Sequence, residues 1–414
     1  MMRNGKEPIH VIGLDCDDPS ALEKFLRRNP DFLKGVDMIC GGKPILDKLR
    51  HDPELSGKLL QLTPPLEPLF ESIIGLNNQG LKVAVLADGD PLLFGIGSSL
   101  VKRLSGQSLV VKPAISAVQA AAARINLPWD DLRIISMHGR KDLTSLFNAI
   151  GLGKAICIFT GGAYRPDDLA RLLLDRGVDW YEIHVFERMG AWDEKHTALP
   201  LKDASRSFFR DGSTVILLPV KKPRLPRLGL DERRFRGAYS TKKPVRGAIL
   251  ELLQIEPTNT VWDVGAGSGV LSLEACALAH AGRVIAVEEN YERCLDIQEN
   301  RRVLGAINLD VRCGAAPECL DGLPDPQRIF MGGGFSGENV LKILESCVKS
   351  LPRGGRFVAS CILLDSFVIC RRFMEYLGWP LEMQQVQASN AIPMGPGKHF
   401  SPLNPIFLLA TQKP

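Results

Sequence analysis

At 414 residues the chain is long enough for roughly two to three domains of about 150 residues each, which excludes a single small binding module. Its 45% hydrophobic and 24% charged content is that of a globular protein able to fold unaided, not of a disordered or fibrous one. A net charge of +4 from 51 basic and 47 acidic residues is too even for the one-signed field of a dedicated nucleic-acid binder.

The opening residues, MMRNGKEPIHVIGL, hold no apolar stretch of signal-peptide length, and the longest apolar runs, such as 357–364, are too short to cross a bilayer. None of the ten cysteines forms a CxxC pair, and the seven histidines show no HxH or HExxH spacing. Reduced thiols, a cytoplasmic setting, no membrane partner and no metal site are therefore expected. Short β-branched runs predict strands at 9–13, 82–87, 109–112, 132–136, 155–160, 181–187 and 214–219, with helical stretches between most of them. That alternation marks α/β architecture. Residues 221–236 break it: seven basic residues, two acidic ones and two prolines bury little. This stretch reads as a solvated linker, with contact to an acidic ligand or partner as the alternative. The second half restarts with an amphipathic helix at 244–253 and strands at 260–264, 283–288, 309–312, 328–331 and 356–360. A last pair, 381–388 and 405–409, reads as a closing hairpin around a loop rich in Gly and Pro. Domains at 1–220 and 237–414, joined by 221–236, are the expected organisation. No period of about 20 to 50 residues recurs, so a solenoid is not expected.

In the second half DVGAGSG follows a strand and runs straight into the helical VLSLEACALA. Gly265, Gly267 and Gly269 let backbone approach a ligand, and the helix N-terminus offers free N–H groups to it. Glu288, at the end of the next strand, is placed to accept hydrogen bonds from two ribose hydroxyls. A dinucleotide fingerprint is GxGxxG; here the spacing is GxGxG after Asp263, which favours S-adenosylmethionine over NAD, and a turn that binds nothing is the third reading. DVGAGSG resembles the first motif of class I methyltransferases. Nucleic-acid and amine methyltransferases of that class often carry Asn/Asp-Pro-Pro-Tyr/Phe after the fourth strand, where this chain has Phe330-Met331-Gly332-Gly333-Gly334. Gly332, Gly333 and Gly334 hold no flipped base but leave room for a large flat substrate. Neither a nucleic acid nor a protein side chain is the expected target.

The second half resembles the decarboxylating precorrin methyltransferases of cobalamin biosynthesis over nearly its whole length. The matching stretches are Tyr239-Ser240-Thr241-Lys242 with Val245-Arg246, DVGAGSG, GAAPECL from Gly314, FMGGG, GGRFVASCILLDS from Gly354, and NPIFLL from Asn404. The first half resembles the tetrapyrrole methylases through Gly89-Asp90-Pro91 with Phe94-Gly95, PAISAVQAAAARINLPW from Pro113, and ISMHGR from Ile135. Where that family has GxGPG in its first loop, this chain has Gly13-Leu14-Asp15-Cys16-Asp17. The two families in this order resemble fused decarboxylating precorrin methyltransferases. The resemblance implies an α/β chain: an N-terminal tetrapyrrole methylase fold of two α/β subdomains with a cleft, then a class I Rossmann-like S-adenosylmethionine methyltransferase domain. It also implies two methyl transfers from S-adenosylmethionine to carbons 5 and 15 of a precorrin, metal-free or cobalt-containing, with loss of the ring C acetate carboxyl as carbon dioxide. Gly13, Gly89, Asp90, Ser116, Ala117 and Met137 are then expected at one cofactor site, and Thr241, Ala315 and Ala316 with the glycine loop at the other.

Methyl transfer from a sulfonium to carbon is an in-line displacement whose leaving thioether needs no protonation, so catalysis can come largely from positioning. Catalytic side chains are accordingly open, with Asp90 and Thr241 as candidates; Asp90 with Pro91 reads otherwise as a helix-start cap. His138 reads as a packed loop residue. Lys242, Arg246, Lys243, Lys398 and His399 lie near the glycine-rich loops and are candidate partners for substrate carboxylates, solvated surface being the alternative for each. A homo-oligomer is expected. Three rival readings stay open: a methyltransferase for another substrate such as RNA, a first half that only docks substrate, and a dehydrogenase.

Overall fold

The computed structural model describes residues 7–104, 109–138, 142–162, 164–237, 241–335 and 339–414. Two compact units are present, one of Met1–Arg140, Ala155–Asp168 and Ile183–Leu218, the other of Lys141–Lys154, Leu169–Glu182 and Pro219–Pro414. Among the described residues no helix is long and apolar enough to cross a membrane.

The first unit contains a five-stranded sheet built on β1 (Ile9–Leu14), β2 (Met38–Gly41), β3 (Leu59–Gln61), β4 (Val83–Asp88) and β5 (Leu109–Lys112), in the order β3-β2-β4-β1-β5. All its pairings are parallel. Side chains alternate across a strand, and β1 sends Ile9 and Val11 into one core and Ile12 and Leu14 into the other, so both faces are covered. A second sheet, β6 (Arg133–Ser136), β7 (Ile156–Phe159), β8 (Tyr181–Glu187), β9 (Lys195–Pro200) and β10 (Thr214–Pro219), runs β6-β7-β10-β8-β9.

The other unit is built on β11 (Thr260–Val264), β12 (Arg283–Glu288), β13 (Leu309–Cys313), β14 (Arg328–Met331), β15 (Arg356–Cys361), β16 (Leu381–Val386) and β19 (Ile406–Gln412), with a separate ribbon of β17 (Ser389–Met394) and β18 (Gly397–Pro402). The sheet order is β13-β12-β11-β14-β15-β19-β16, five parallel strands followed by β19 antiparallel to both neighbours. An all-parallel dinucleotide-binding sheet has no such inserted strand. Val261 faces one core and Trp262 the other, so this sheet too is buried on both sides. Val264 pairs in parallel with both Val287 and Met331, which brings the loops after β11, β12 and β14 to one edge.

Several expectations change. Strands β2, β3 and β9 were not anticipated; the first two are four and three residues long, and β9 is a half-exposed edge strand. The Gly- and Pro-rich loop before β19 holds the ribbon. Residues 221–236 are anchored: Leu230 is buried in a core, and Arg224 donates to the Gly177 carbonyl and pairs with Asp179. The thiols are not all reduced, since Cys294 and Cys313 form a disulfide with Cα atoms 5.9 Å apart. Parallel pairing sets Glu288 opposite Cys313 while the helix Tyr291–Leu304 returns Cys294 beside it, a proximity that their separation of 19 residues does not reveal.

Candidate functional site

The edge where β11, β12 and β14 end encloses a cavity of about 670 Å³. Its inner wall is the DVGAGSG turn. Gly265 has φ +77°, and a Cβ on it would stand 2.6 Å from the backbone of Gly333, so the two glycine clusters can meet only without side chains. Gly265 and Ala266 both donate their N–H to the Val287 carbonyl.

Two carboxylates lie beneath this turn. Glu288, 4% exposed, accepts the Gly267 N–H at 2.8 Å and the Asn290 N–H at 3.1 Å, with the Arg293 guanidinium 3.7 Å away. A carboxylate offers about four acceptor sites, so capacity for a ligand remains. Asp263 is fully buried; Ser272 donates to its Oδ2, while Oδ1 has no hydrogen-bond partner among the described residues. Burial, reinforced by the charge of Glu288, pushes its carboxyl up to about 7.

Of the anticipated residues, Thr241, Lys242, Asp263, Gly265, Gly267, Glu288, Ala316, Gly332, Gly333 and Gly334 line this one cavity. Gly269 instead closes the turn at the start of helix Val270–Leu278, and Ala315 is exposed outside the lining. Tyr239 and Ser240, like Gly139 and Arg140 in the first half, lie outside the described residues. Arg246 is a correction. It is fully buried, its guanidinium 3.0 Å from Glu274 and donating to the carbonyls of Thr241 and Leu230, so it braces the wall of the site and cannot reach a substrate. Ser272, which supports Asp263 from behind the lining, and the lining residues Arg293, Ile362, Leu403 and Asn404 were not anticipated as site residues. Ser272 was accessible from the strand-turn-helix geometry, which returns the first helical turn over Asp263; Ile362 and Asn404 fall in stretches that carry the family resemblance, GGRFVASCILLDS and NPIFLL, but nothing in those stretches marks them as facing a ligand.

In the first unit the ends of β1 and β4 and the loop after β5 converge. A Cβ on Gly13 would meet Ala114, the Gly89 carbonyl and Pro91 within 2.9 Å, and Gly89 lies against Ser116. Ser116 caps the helix Ala117–Arg124 in a capping box with Gln119. Asp90 accepts the Leu92 N–H at 2.8 Å in a local turn; the helix-start cap that was its alternative reading is not what forms, since the next helix, Ile96–Arg103, has Gly95 at its N-cap. Met137 is buried at the end of β6, bonded through its N–H to Phe159, whose ring meets Phe94 edge to face at 6.0 Å. His138 is exposed beside Gly161. In the altered loop, Asp15 accepts the Ile115 N–H at 2.7 Å and Asp17 pairs with Arg124 at 3.4 Å.

Among the described residues no cluster of three or more His, Cys, Asp or Glu is placed to hold a metal ion. A strand-end cavity with a glycine wall, a seven-stranded sheet closed by an antiparallel strand, and a preceding pair of α/β sheets define a methyltransferase-type chain. The sequence model for tetrapyrrole (corrin/porphyrin) methylases matches residues 20–205, and that for the precorrin methyltransferase domain matches residues 236–413. The chain is 30% identical over 391 residues to the precorrin-6Y C(5,15)-methyltransferase (decarboxylating) of Mycobacterium tuberculosis strain CDC 1551, covering 90% of this chain and 95% of that one. It is 30% identical over 408 residues to the Sinorhizobium protein of the same name, at 96% and 94% coverage. It is also 33% identical over 174 residues to the cobalt-precorrin-6B C(15)-methyltransferase (decarboxylating) of Salmonella typhimurium, covering 42% of this chain and 88% of that protein. The chain belongs to the family of decarboxylating precorrin-6Y C(5,15)-methyltransferases.

Proposed function

We propose that this chain transfers methyl groups from S-adenosylmethionine to carbons 5 and 15 of a precorrin and releases the ring C acetate carboxyl as carbon dioxide. We assign the carbon 5 transfer to a domain at 1–220 and the decarboxylating carbon 15 transfer to one at 237–414, joined by 221–236. The observation that supports this most is the cavity formed by the DVGAGSG turn, Glu288 and Gly332 to Gly334.

The residues present fit the cofactor. Asp263 Oδ1 is a buried acceptor lacking a donor, and an ammonium group would supply one. Glu288 retains acceptor capacity for ribose hydroxyls. The approach of Gly265 to Gly333 leaves a wall of bare backbone for a flat ligand. When bound, S-adenosylmethionine supplies an electrophilic methyl group. The chain's part is to hold the accepting carbon in line with it, to exclude water, and to hold the acid side chains of the substrate, with Lys242 at the cavity wall as a cationic partner. Loss of carbon dioxide leaves its electron pair in the conjugated macrocycle, so positioning serves both steps.

Incubating the full chain with labelled S-adenosylmethionine and precorrin-6B, then weighing the product, tests the reading. Two methyl gains with one loss of carbon dioxide are expected; a product with no methyl gain overturns it. Glu288→Ala should weaken cofactor binding by about 1.5 to 3 kcal/mol, measured by calorimetry.

A further inference from the structure

The ribbon of β17 and β18 stands apart from the cores. Every one of its residues except Ser401 is exposed, including Phe400 at 74% and Met394 at 66%. Two strands alone are marginally stable in water, so an apolar ribbon of this kind gains from a partner. Its base is fixed: the Leu403 N–H donates to Ala388, and the Gln387 side chain donates to the Leu403 carbonyl. That base is also the cavity rim, where Ala388, Pro402 and Leu403 contribute to the lining.

Register decides which side chains share the face of Pro402. The directly opposed pairs are Ser389 with Pro402, Ala391 with Phe400, and Pro393 with Lys398. Opposed residues point to the same side, and alternate pairs share it, so Pro402, Phe400 and Lys398 form one row. Ile392, His399 and Met394 occupy the reverse face. At about 3.4 Å per residue, the row places an aromatic ring roughly 7 Å and a cation roughly 14 Å outward from the rim. Residues 387–404 contain Lys398 and His399 and no acidic residue. A row that goes from an apolar rim to an aromatic face to a cation matches a flat conjugated ring bordered by carboxylates.

We infer that this face of the ribbon is the outer half of the tetrapyrrole site, with Phe400 lying against the macrocycle and Lys398 paired with a peripheral carboxylate. The inference rests on the precorrin reading above and adds to it the residues that select a polycarboxylated ring. Phe400 and Lys398 here are binding residues, outside the cofactor-contacting wall.

The test is steady-state kinetics of the full chain with precorrin-6B, alongside calorimetric titration with S-adenosylmethionine. Phe400→Ala should raise KM for the tetrapyrrole roughly tenfold while the cofactor dissociation constant stays unchanged. Phe400→Tyr should keep KM near that of the wild type. Lys398→Ala should raise KM severalfold and reduce its dependence on salt. Ile392→Ala, on the reverse face, should leave KM unchanged. A KM indifferent to Phe400→Ala, or raised equally by Ile392→Ala, overturns the inference. So does a Phe400→Ala variant whose only change is dissociation of an oligomer in sedimentation, which would make the ribbon a self-association surface. A wild-type chain that binds cofactor but methylates no precorrin overturns the precorrin reading as well, and is told apart from these by the wild-type assay alone.

Discussion

Two strand-end loops, one in each unit, occupy equivalent places after a central parallel strand and are shaped by opposite means. After β11 the backbone does the work: Gly265 takes a left-handed conformation, and its missing side chain lets Gly333 close in. At the end of β1 only Gly13, still within the strand, is a glycine, and side chains take over in the loop, Asp15 bonding to Ile115 and Asp17 to Arg124. Arg124 also pairs with Glu194, which accepts the Gly190 N–H at 2.6 Å. The first design leaves buried carboxylates with unused acceptor capacity beside a cavity. The second commits its carboxylates to holding the loop. A glycine-poor loop is thus compatible with an ordered strand end, at the expense of charge available to a ligand.

The sharpest break of this contrast is Gly265→Val. A β-branched residue at φ +77° is strained, and its Cβ would overlap Gly333. Loss of cofactor heat from the second site is expected in calorimetry, with product mass falling to a single methyl gain and no loss of carbon dioxide. Next is the bracing of the two sites. Arg246→Ala leaves the Glu274 charge buried and uncompensated, which should cost about 3 to 5 kcal/mol in denaturant unfolding, only part of it regained by combining Arg246→Met with Glu274→Leu, because the Leu230 N–H and the carbonyls of Thr241 and Leu230 still lose their partners. Arg124→Ala breaks a half-exposed cluster and should cost about 1 kcal/mol.

The same contrast explains what could be read from the sequence. DVGAGSG, Glu288 and the glycines after β14 were legible because backbone demands leave few residue choices: a strand must end, a turn needs positive φ, and a helix must begin. The central strands were legible through continuous apolar runs such as VAVLAD, buried in all but its last residue. Arg246 was misread because a cation close in sequence to a glycine loop looks like a ligand partner, whereas burial against Glu274 depends on a helix 28 residues away. The ribbon was hidden by Pro393, Pro402 and Gly397, which read as loop residues although an unpartnered ribbon tolerates them. Leu230 was hidden within a run of charge.

A subtler consequence concerns pH. Asp263 ionises near 4 in an unfolded chain and only near 7 in the folded one, because burial disfavours its charge. The unfolded state therefore releases its proton first as pH rises. The stability associated with this neutral carboxyl is fully present below about pH 4 and is lost as pH climbs through 7. Asp263→Asn should flatten that slope in unfolding measured from pH 4 to 7. In the first unit Asp18 runs the other way: Lys24 and Ser20 hold its carboxyl down to about 2, so its contribution is present at neutral pH and lost only as pH falls through that value. Its exposure makes that contribution small.

The smallest effect, and the one that most refines the comparison, is at Asp15. Its Oδ1 accepts one backbone N–H at 2.7 Å across 100 residues of sequence, in a partly exposed position where water competes. Asp15→Ala removes that bond and should lower stability by about 1 kcal/mol. Asp15→Asn keeps an acceptor in the same place without the charge, and should retain most of that stability if the bond shapes the loop. Titrating both full-length variants with S-adenosylmethionine then separates shape from charge. If the loop matters to the first cofactor site through its shape, Asp15→Ala weakens that binding event and Asp15→Asn leaves it near the wild type. Equal weakening in both variants would mean that the carboxylate acts on the cationic cofactor through its charge, and the division between a loop that commits its acids to structure and one that keeps them for a ligand would fail at this residue.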